Sequence, residues 1–208
     1  MAMKLGLGLN PQLLTAENFR FARQLGVTHI VAHLASWSSD HQRPTGPDGQ
    51  PALWSYEELR DLRAAINAEN LELYAIENFE PGHWRDVLLD GPRRDAQIEG
   101  LRTIIRNMGR AEIPVMGYNF SLAGVWGRTQ GAFARGGAQS TGYIEDTAPP
   151  QDPIPYGTIW NRVYDPSAPA GDIGTVTGDQ LWGRLEHFLT ALVPVAEEAG
   201  VRLAAHPD

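Results

Sequence analysis

The chain has 208 residues, 42% of them hydrophobic, and no cysteine. That length predicts one domain with its own core, and the missing cysteines exclude disulfides, zinc ribbons, a thiol nucleophile and any thiolate metal ligand from these residues. A net charge of −8 excludes a general nucleic-acid binder, whose affinity comes from Lys and Arg on phosphates, and Lys4, the single lysine, is too close to the terminus for Schiff-base chemistry.

The apolar pattern alternates between two periods. Leu5 to Leu9 reads as a strand. Thr15 to Leu25 reads as a helix, with Thr15 at the N-cap and Phe19, Ala22 and Leu25 on one face; Gly26 stops it. Val27 to Leu34 reads as a buried strand, and Ser36 to Leu53 as a loop. Ser55 and Glu58 form a capping box that opens a helix to about Asn70, with Leu59, Leu62 and Ile66 inward. Leu71 to Ile76 is the next strand, with Glu77 and Asn78 at its end, and 79–92 read as loop. A helix over about 93–111 follows, with Ile98, Leu101, Ile105 and Met108 as its apolar stripe, and then a strand from Ile113 to Phe120. Residues 121–177 are rich in Gly and Pro but carry Trp126, Phe133, Tyr143, Tyr156, Trp160 and Tyr164. Those aromatics predict a lid rather than disorder. Asp179 is the expected cap of the last helix, which buries Leu181, Leu185, Phe188, Leu192 and Val195. Gly200 ends it, and Val201 to Ala205 is a fifth strand.

This alternation predicts an α/β fold with a parallel sheet. No dinucleotide fingerprint follows the first strand, because Pro11 stands where a helix should begin. No run of 18 apolar residues is present, so no membrane span is expected. The start lacks the apolar region of a signal peptide, and a cytoplasmic protein is the expectation.

In parallel α/β folds the chemistry lies beyond the C-terminal strand ends. Those ends carry Asn10, His33, Glu77 with Asn78, Tyr118 with Asn119, and His206 with Asp208. A barrel would gather them in its mouth, which predicts an enzyme. His206 and Asp208 are two apart and can share a side; imidazole with carboxylate suits Mn, Fe or Zn. His29 reads as structural, His41 and His83 as loop surface, and His187 as packing or surface. Arg128 suits a bidentate clamp on a carboxylate, or a plain position on the loop surface. No G-x-S-x-G elbow supports acyl chemistry.

Two segments carry a resemblance. Val195–Asp208 (VAEEAGVRLAAHPD) resembles the stretch through the His-Pro-Asp motif of mannonate dehydratases. Gly117–Thr129 (GYNFSLAGVWGRT) resembles their Tyr-Asn-Phe strand end and the Trp-x-Arg-Thr after it. Ile76-Glu77 and the helix at 93–111 fit in order and spacing. The resemblance implies a (β/α)8 TIM barrel of the xylose-isomerase-like kind. Here it would be one domain over 1–208, incomplete at about five parallel strands, with 121–177 as a lid or insertion. It implies dehydration of D-mannonate to 2-keto-3-deoxy-D-gluconate in hexuronate breakdown, with Mn2+ or Fe2+. It makes His206 a metal ligand and puts Glu77, Asn119 and Arg128 around the substrate; the strand-end reading adds His33.

The family's other ligands, a Cys, a second His and an Asp, and its acid/base groups follow the His-Pro-Asp motif. The expectation is therefore an N-terminal part of a longer protein, inactive alone, with its catalytic residues beyond Asp208. The family's Arg-Trp-Tyr-Gly near the first strand reads Gly6-Leu7-Gly8-Leu9-Asn10 here, and Val125 stands where the family tends to have Asp. The expected partners are a small sugar acid and a second copy of the chain, with no nucleic acid and no membrane. Two alternatives stay open: a sugar isomerase or epimerase on the same barrel, and a non-catalytic fragment.

Overall fold

The computed structural model describes residues 3–36, 43–124 and 127–206. They form two compact units, one running to Phe120 and resuming at Thr177, the other Ser121–Val176.

The first unit is a sheet of β1 (Gly6–Leu9), β2 (His29–His33), β3 (Glu72–Glu77), β4 (Val115–Tyr118) and β9 (Arg202–Ala205). All pairs are parallel, in the order β1-β2-β3-β4-β9. Each of these strands lies beside the next one of the unit. A doubly wound sheet reverses its order at a switch point; this one does not, and it winds like a (β/α)8 barrel. Its edges β1 and β9 are not paired with each other among the described residues, so the ring is open. The five strands sit where the apolar runs placed them.

The helices are α1 (Ala16–Gln24), α2 (Tyr56–Asn67), α3 (Arg85–Leu89), α4 (Arg94–Arg110) and α5 (Gly178–Ala199). They supply Phe19, Leu59, Ile66, Leu101, Ile105, Met108, Phe188 and Leu192 to one core with Leu9, Ile30, Leu73, Ile76 and Met116 of the strands. Each such side chain stabilises the fold by about 1.5–3 kcal/mol when fully buried. On the strands these residues alternate with Gly8, Val31, His33, Gly117 and Ala204, which are half-buried or exposed. The helices thus cover one face, and the other corresponds to the barrel interior. The register slips once, between Ile30 and Val31, where β3 carries an extra residue.

Local signals explain the helix starts. Thr15 Oγ1 accepts from Asn18 N, and Ser55 with Glu58 makes the expected capping box. Three expectations need correction. Thr177, not Asp179, caps α5: its hydroxyl accepts from Gln180 N, and Gln180 Oε1 accepts from Thr177 N. Leu25 is 60% exposed, because α1 ends at Gln24 and Leu25 is already its C-cap. The loop 79–92 contains α3, five residues long and too short for a readable period.

The second unit holds two antiparallel hairpins, β5 (Arg128–Gly131) with β6 (Ser140–Tyr143) and β7 (Thr158–Ile159) with β8 (Arg162–Val163). Gly131 and Gly142 leave room for the Phe133 ring, which a β-carbon at either would meet within 2.8 Å. Trp160 and Asn161 turn the second hairpin with positive φ of 49° and 58°, as a two-residue primed turn requires. The Trp160 indole N–H donates to Ser121 O at 2.9 Å.

Helix α4 packs tightly against the end of α5 at Gly109, where a β-carbon would stand 2.4 Å from Ala199 O. Gly109→Ala is expected to destabilise the protein by about 1–3 kcal/mol through overpacking, although alanine favours a helix. Urea unfolding measures it; equal or higher stability would show that the helices separate freely.

Candidate functional site

His33 ends β2 and Glu77 ends β3, and the two are register partners. Glu77 is next paired with Gly117 of β4, and Gly117 with Ala204 of β9. These four positions form one row on the barrel-interior face. His206 lies two residues past Ala204, on the same side, and its N–H donates to Tyr118 O at 2.8 Å.

Glu77 Oε1 lies 2.8 Å from His206 Nδ1. The two come from strands that are not neighbours, so the carboxylate must reach across β4. Gly117 permits this: a β-carbon there would stand 3.0 Å from Glu77 Cγ and 3.3 Å from its Cβ. Gly8 on β1 does the same for His33, whose Nε2 would be 2.9 Å from an added β-carbon. Two strand glycines thus clear space for two site side chains. His33 Nδ1 in turn meets Asn78 Nδ2 at 3.2 Å.

The structure therefore brings Glu77 and His206 together and places His33 in the same row, with its side chain against Asn78 and Gly8. Asn119 follows β4 directly and is half-buried; Tyr118 before it packs on Phe188 at 5.2 Å between centroids, on the helix side. Arg128 belongs to the second unit, exposed, at the start of β5 and paired in register with Tyr143. Asp208 and His41 lie outside the described residues, as does Trp126. His29 pairs with Glu72 at 3.0 Å, and Arg202 donates to Tyr74 Oη at 2.8 Å. These four occupy the same face at the opposite strand ends, where barrels keep stability rather than chemistry.

Carboxylate and imidazole are suitable ligand types for a divalent metal, and a carboxylate on Nδ1 is the usual way a ligating histidine is oriented. Coordination by His206 would then use Nε2. However, no group of three His, Asp or Glu able to hold a metal exists among the described residues. Among the described residues the donors therefore fall short of a complete metal site.

Sequence reasoning missed a buried pair beside the site. His83 is not a surface residue: it is 3% exposed, and Glu80 6%. Their side chains approach at 3.4 Å. Glu80 Oε2 accepts from the Trp54 indole at 3.3 Å, and His83 Nε2 lies 3.1 Å from Pro51 O. Burial pushes Glu80 up to about 7 despite the Trp54 hydrogen bond and nearby Arg43. Burial likewise lowers His83. Burial disfavours the charged form of each, so below about pH 7 the contact is an acid beside an imidazole rather than an ion pair. Arg43 stacks on Trp54 at 3.9 Å and reaches Glu58 at 3.0 Å. The pair therefore anchors the segment before α2 to the residues just past Glu77. A buried-polar spacing of E-x-x-H next to a strand end was the available signal.

A family model described as D-mannonate dehydratase (UxuA) matches residues 15–162 and 169–208. The chain belongs to the mannonate dehydratase family. A mannonate dehydratase of Streptococcus suis is 34% identical over 170 residues, 78% of this chain and 45% of that protein. Mannonate dehydratase 2 of Halalkalibacterium halodurans is 30% identical over 164 residues, 75% and 47%. The chain thus spans about half the length of the curated mannonate dehydratases it matches. The crystal structure of mannonate dehydratase from S. suis serotype 2 superposes with a TM-score of 0.65 at 28% identity, over 100% of this chain and 54% of that one. An E. coli 3-keto-D-glucoside 4-epimerase gives 0.52 at 11% identity over 98% and 56%. A Clostridium cellulolyticum D-psicose 3-epimerase gives 0.51 at 13% over 97% and 51%. These two share the barrel fold alone.

Two outcomes follow from the geometry. Gly117→Val suits a strand but occupies the space of Glu77. A crystal structure of the variant should show the fold kept and the Glu77–His206 contact broken; an intact contact would refute the clearance argument. Glu80 is the second. Its folded pKa lies above the ordinary value of 4.5, so its contribution is present at low pH and lost as pH rises through about 7. His83 is lowered from 6.5 and contributes the opposite slope, which fades only above 6.5. Glu80 outweighs it there, and the net loss on reaching pH 8 is a fraction of ~1 kcal/mol. Glu80→Gln keeps an acceptor for Trp54 and should turn that loss into a small gain in urea titrations between pH 6.5 and 8.

Proposed function

We propose that the protein dehydrates D-mannonate to 2-keto-3-deoxy-D-gluconate, in hexuronate breakdown in the cytoplasm. The observation that carries this reading is the Glu77–His206 contact across Gly117, at the strand ends of a chain that belongs to this family. In the reaction a proton leaves C2 and hydroxide leaves C3 as water once protonated. The enol that remains becomes the 2-keto acid. The C2 proton is poorly acidic beside an ionised carboxylate, so the reaction needs that charge stabilised and an acid for the leaving hydroxide.

The proposed cofactor is Mn2+ or Fe2+, which would supply Lewis-acid stabilisation of the carboxylate. His206 is the proposed ligand from this chain, oriented by Glu77 as an outer partner. His33 and Asn119 are proposed to hold substrate oxygens. The remaining ligands and the acid and base are proposed to come from the part of the barrel that the matched relatives possess beyond this span.

The test is product analysis of the complete gene product with D-mannonate and Mn2+ or Fe2+. Loss of one water and appearance of a 2-keto acid are expected; a product epimerised without water loss would replace this reading. Glu77→Gln is expected to lower metal affinity or activity about 10–100-fold, read by metal titration and kcat/KM.

A further inference from the structure

His33 closes β2, and Asn78 follows β3 directly. Since His33 is the register partner of Glu77, Asn78 lies one residue past the pair. An extended residue there would point its side chain away from the face of Glu77. Asn78 instead has φ of 60°, in the left-handed region that asparagine tolerates better than most residues. The backbone secures the turn: Asn78 O accepts from Leu34 N at 3.2 Å and from Ala35 N at 2.5 Å. The turned side chain then meets the imidazole, with Asn78 Nδ2 at 3.2 Å from His33 Nδ1.

An amide NH2 can only donate, so the ring nitrogen facing it must accept. In a neutral imidazole the proton then sits on the other nitrogen, Nε2. That atom stands over Gly8, where a β-carbon would lie at 2.9 Å. Gly8 is not among the glycines of positive φ, so space and not backbone conformation accounts for it. One neighbour fixes the proton, and the other keeps the protonated nitrogen uncrowded.

We propose that Asn78 is a positioning residue that holds His33 as its neutral Nε2–H tautomer, so that His33 presents an N–H donor to a carboxylate or hydroxyl oxygen of the sugar acid. The identity of the ligand rests on the dehydratase reading; the tautomer does not. A carboxylate accepts hydrogen bonds and cannot donate, so the opposite tautomer would set two acceptors against each other. A merely structural Asn78 would act through its backbone carbonyl alone and would be indifferent to whether its side chain donates.

The test is a long-range proton–nitrogen correlation spectrum of histidine-labelled protein, at a pH where the ring is neutral, with His33 assigned through His33→Gln. The expected pattern has the proton on Nε2 in the parent chain. Asn78→Asp, which accepts only and also tolerates left-handed backbone, should move the proton to Nδ1. Asn78→Gly, which keeps the backbone turn without the amide, should leave two tautomers in exchange. A proton on Nδ1 in the parent, or an unchanged His33 pattern in either folded variant, overturns the proposal. Should Asn78→Asp not fold, the parent and the glycine variant decide it. Adding D-mannonate to the complete enzyme should shift the His33 Nε2 signal, and no shift overturns the substrate contact. The expected tautomer together with no dehydration would remove the dehydratase reading and leave the tautomer assignment standing.

Discussion

Along β3 the side chains should alternate between the helix face and the barrel interior. If the pairing set by His29 and Glu72 ran on without interruption, Glu77 would fall opposite Leu34. Leu34 is 2% exposed, within the helix-covered core. An unpaired carboxylate in such a place costs several kcal/mol. One extra residue between Leu73 and Ala75 removes that conflict, because the register resumes as Val31 with Ala75 and His33 with Glu77. Bulges of this kind re-aim side chains near functional sites. Here it turns Glu77 to the side of His33 and His206, and the distances at the site follow from that turn.

Much of this was legible in the residues. The apolar runs and their periods gave the five strands and the four long helices, and the strand ends named His33, Glu77 and His206 before any geometry. What stayed hidden has physical reasons. The bulge lies in ELYAIE, which contains no glycine or proline to mark it. Helix α3 is shorter than two turns, so it has no period. The turn at Asn78 depends on the amides of Leu34 and Ala35, just past β2 and more than forty positions earlier. His83 looked solvent-facing because its loop is polar; its burial comes from Pro51 and Glu80 folding over it. The cap of α5 was available as Thr177-x-x-Gln180, but Asp179 offered an equally good residue type two residues later.

The neutral pair of Glu80 and His83 extends the same theme. A site at the end of β3 needs the chain beyond it held in place, and that chain enters a loop. Trp54, clasped by Arg43 on one side and hydrogen-bonded to Glu80 on the other, pins the approach to α2 onto that loop. Polar groups this deep rigidify a structure when their partners are complete. Glu80 Oε1 and His83 Nδ1 have no hydrogen-bond partner among the described residues, so the tether depends on the protonation state of Glu80.

The boundary at Thr177 bears on how this family diversifies. Strand β4 ends with its own pairing to β9, and α5 begins with a reciprocal cap made entirely by Thr177 and Gln180. Neither needs the intervening hairpins in order to start or stop. The family match also lapses at 163–168, inside that stretch. Residues 121–176 are therefore a cassette: evolution can lengthen, shorten or exchange them between relatives while the sheet and its helices keep their register.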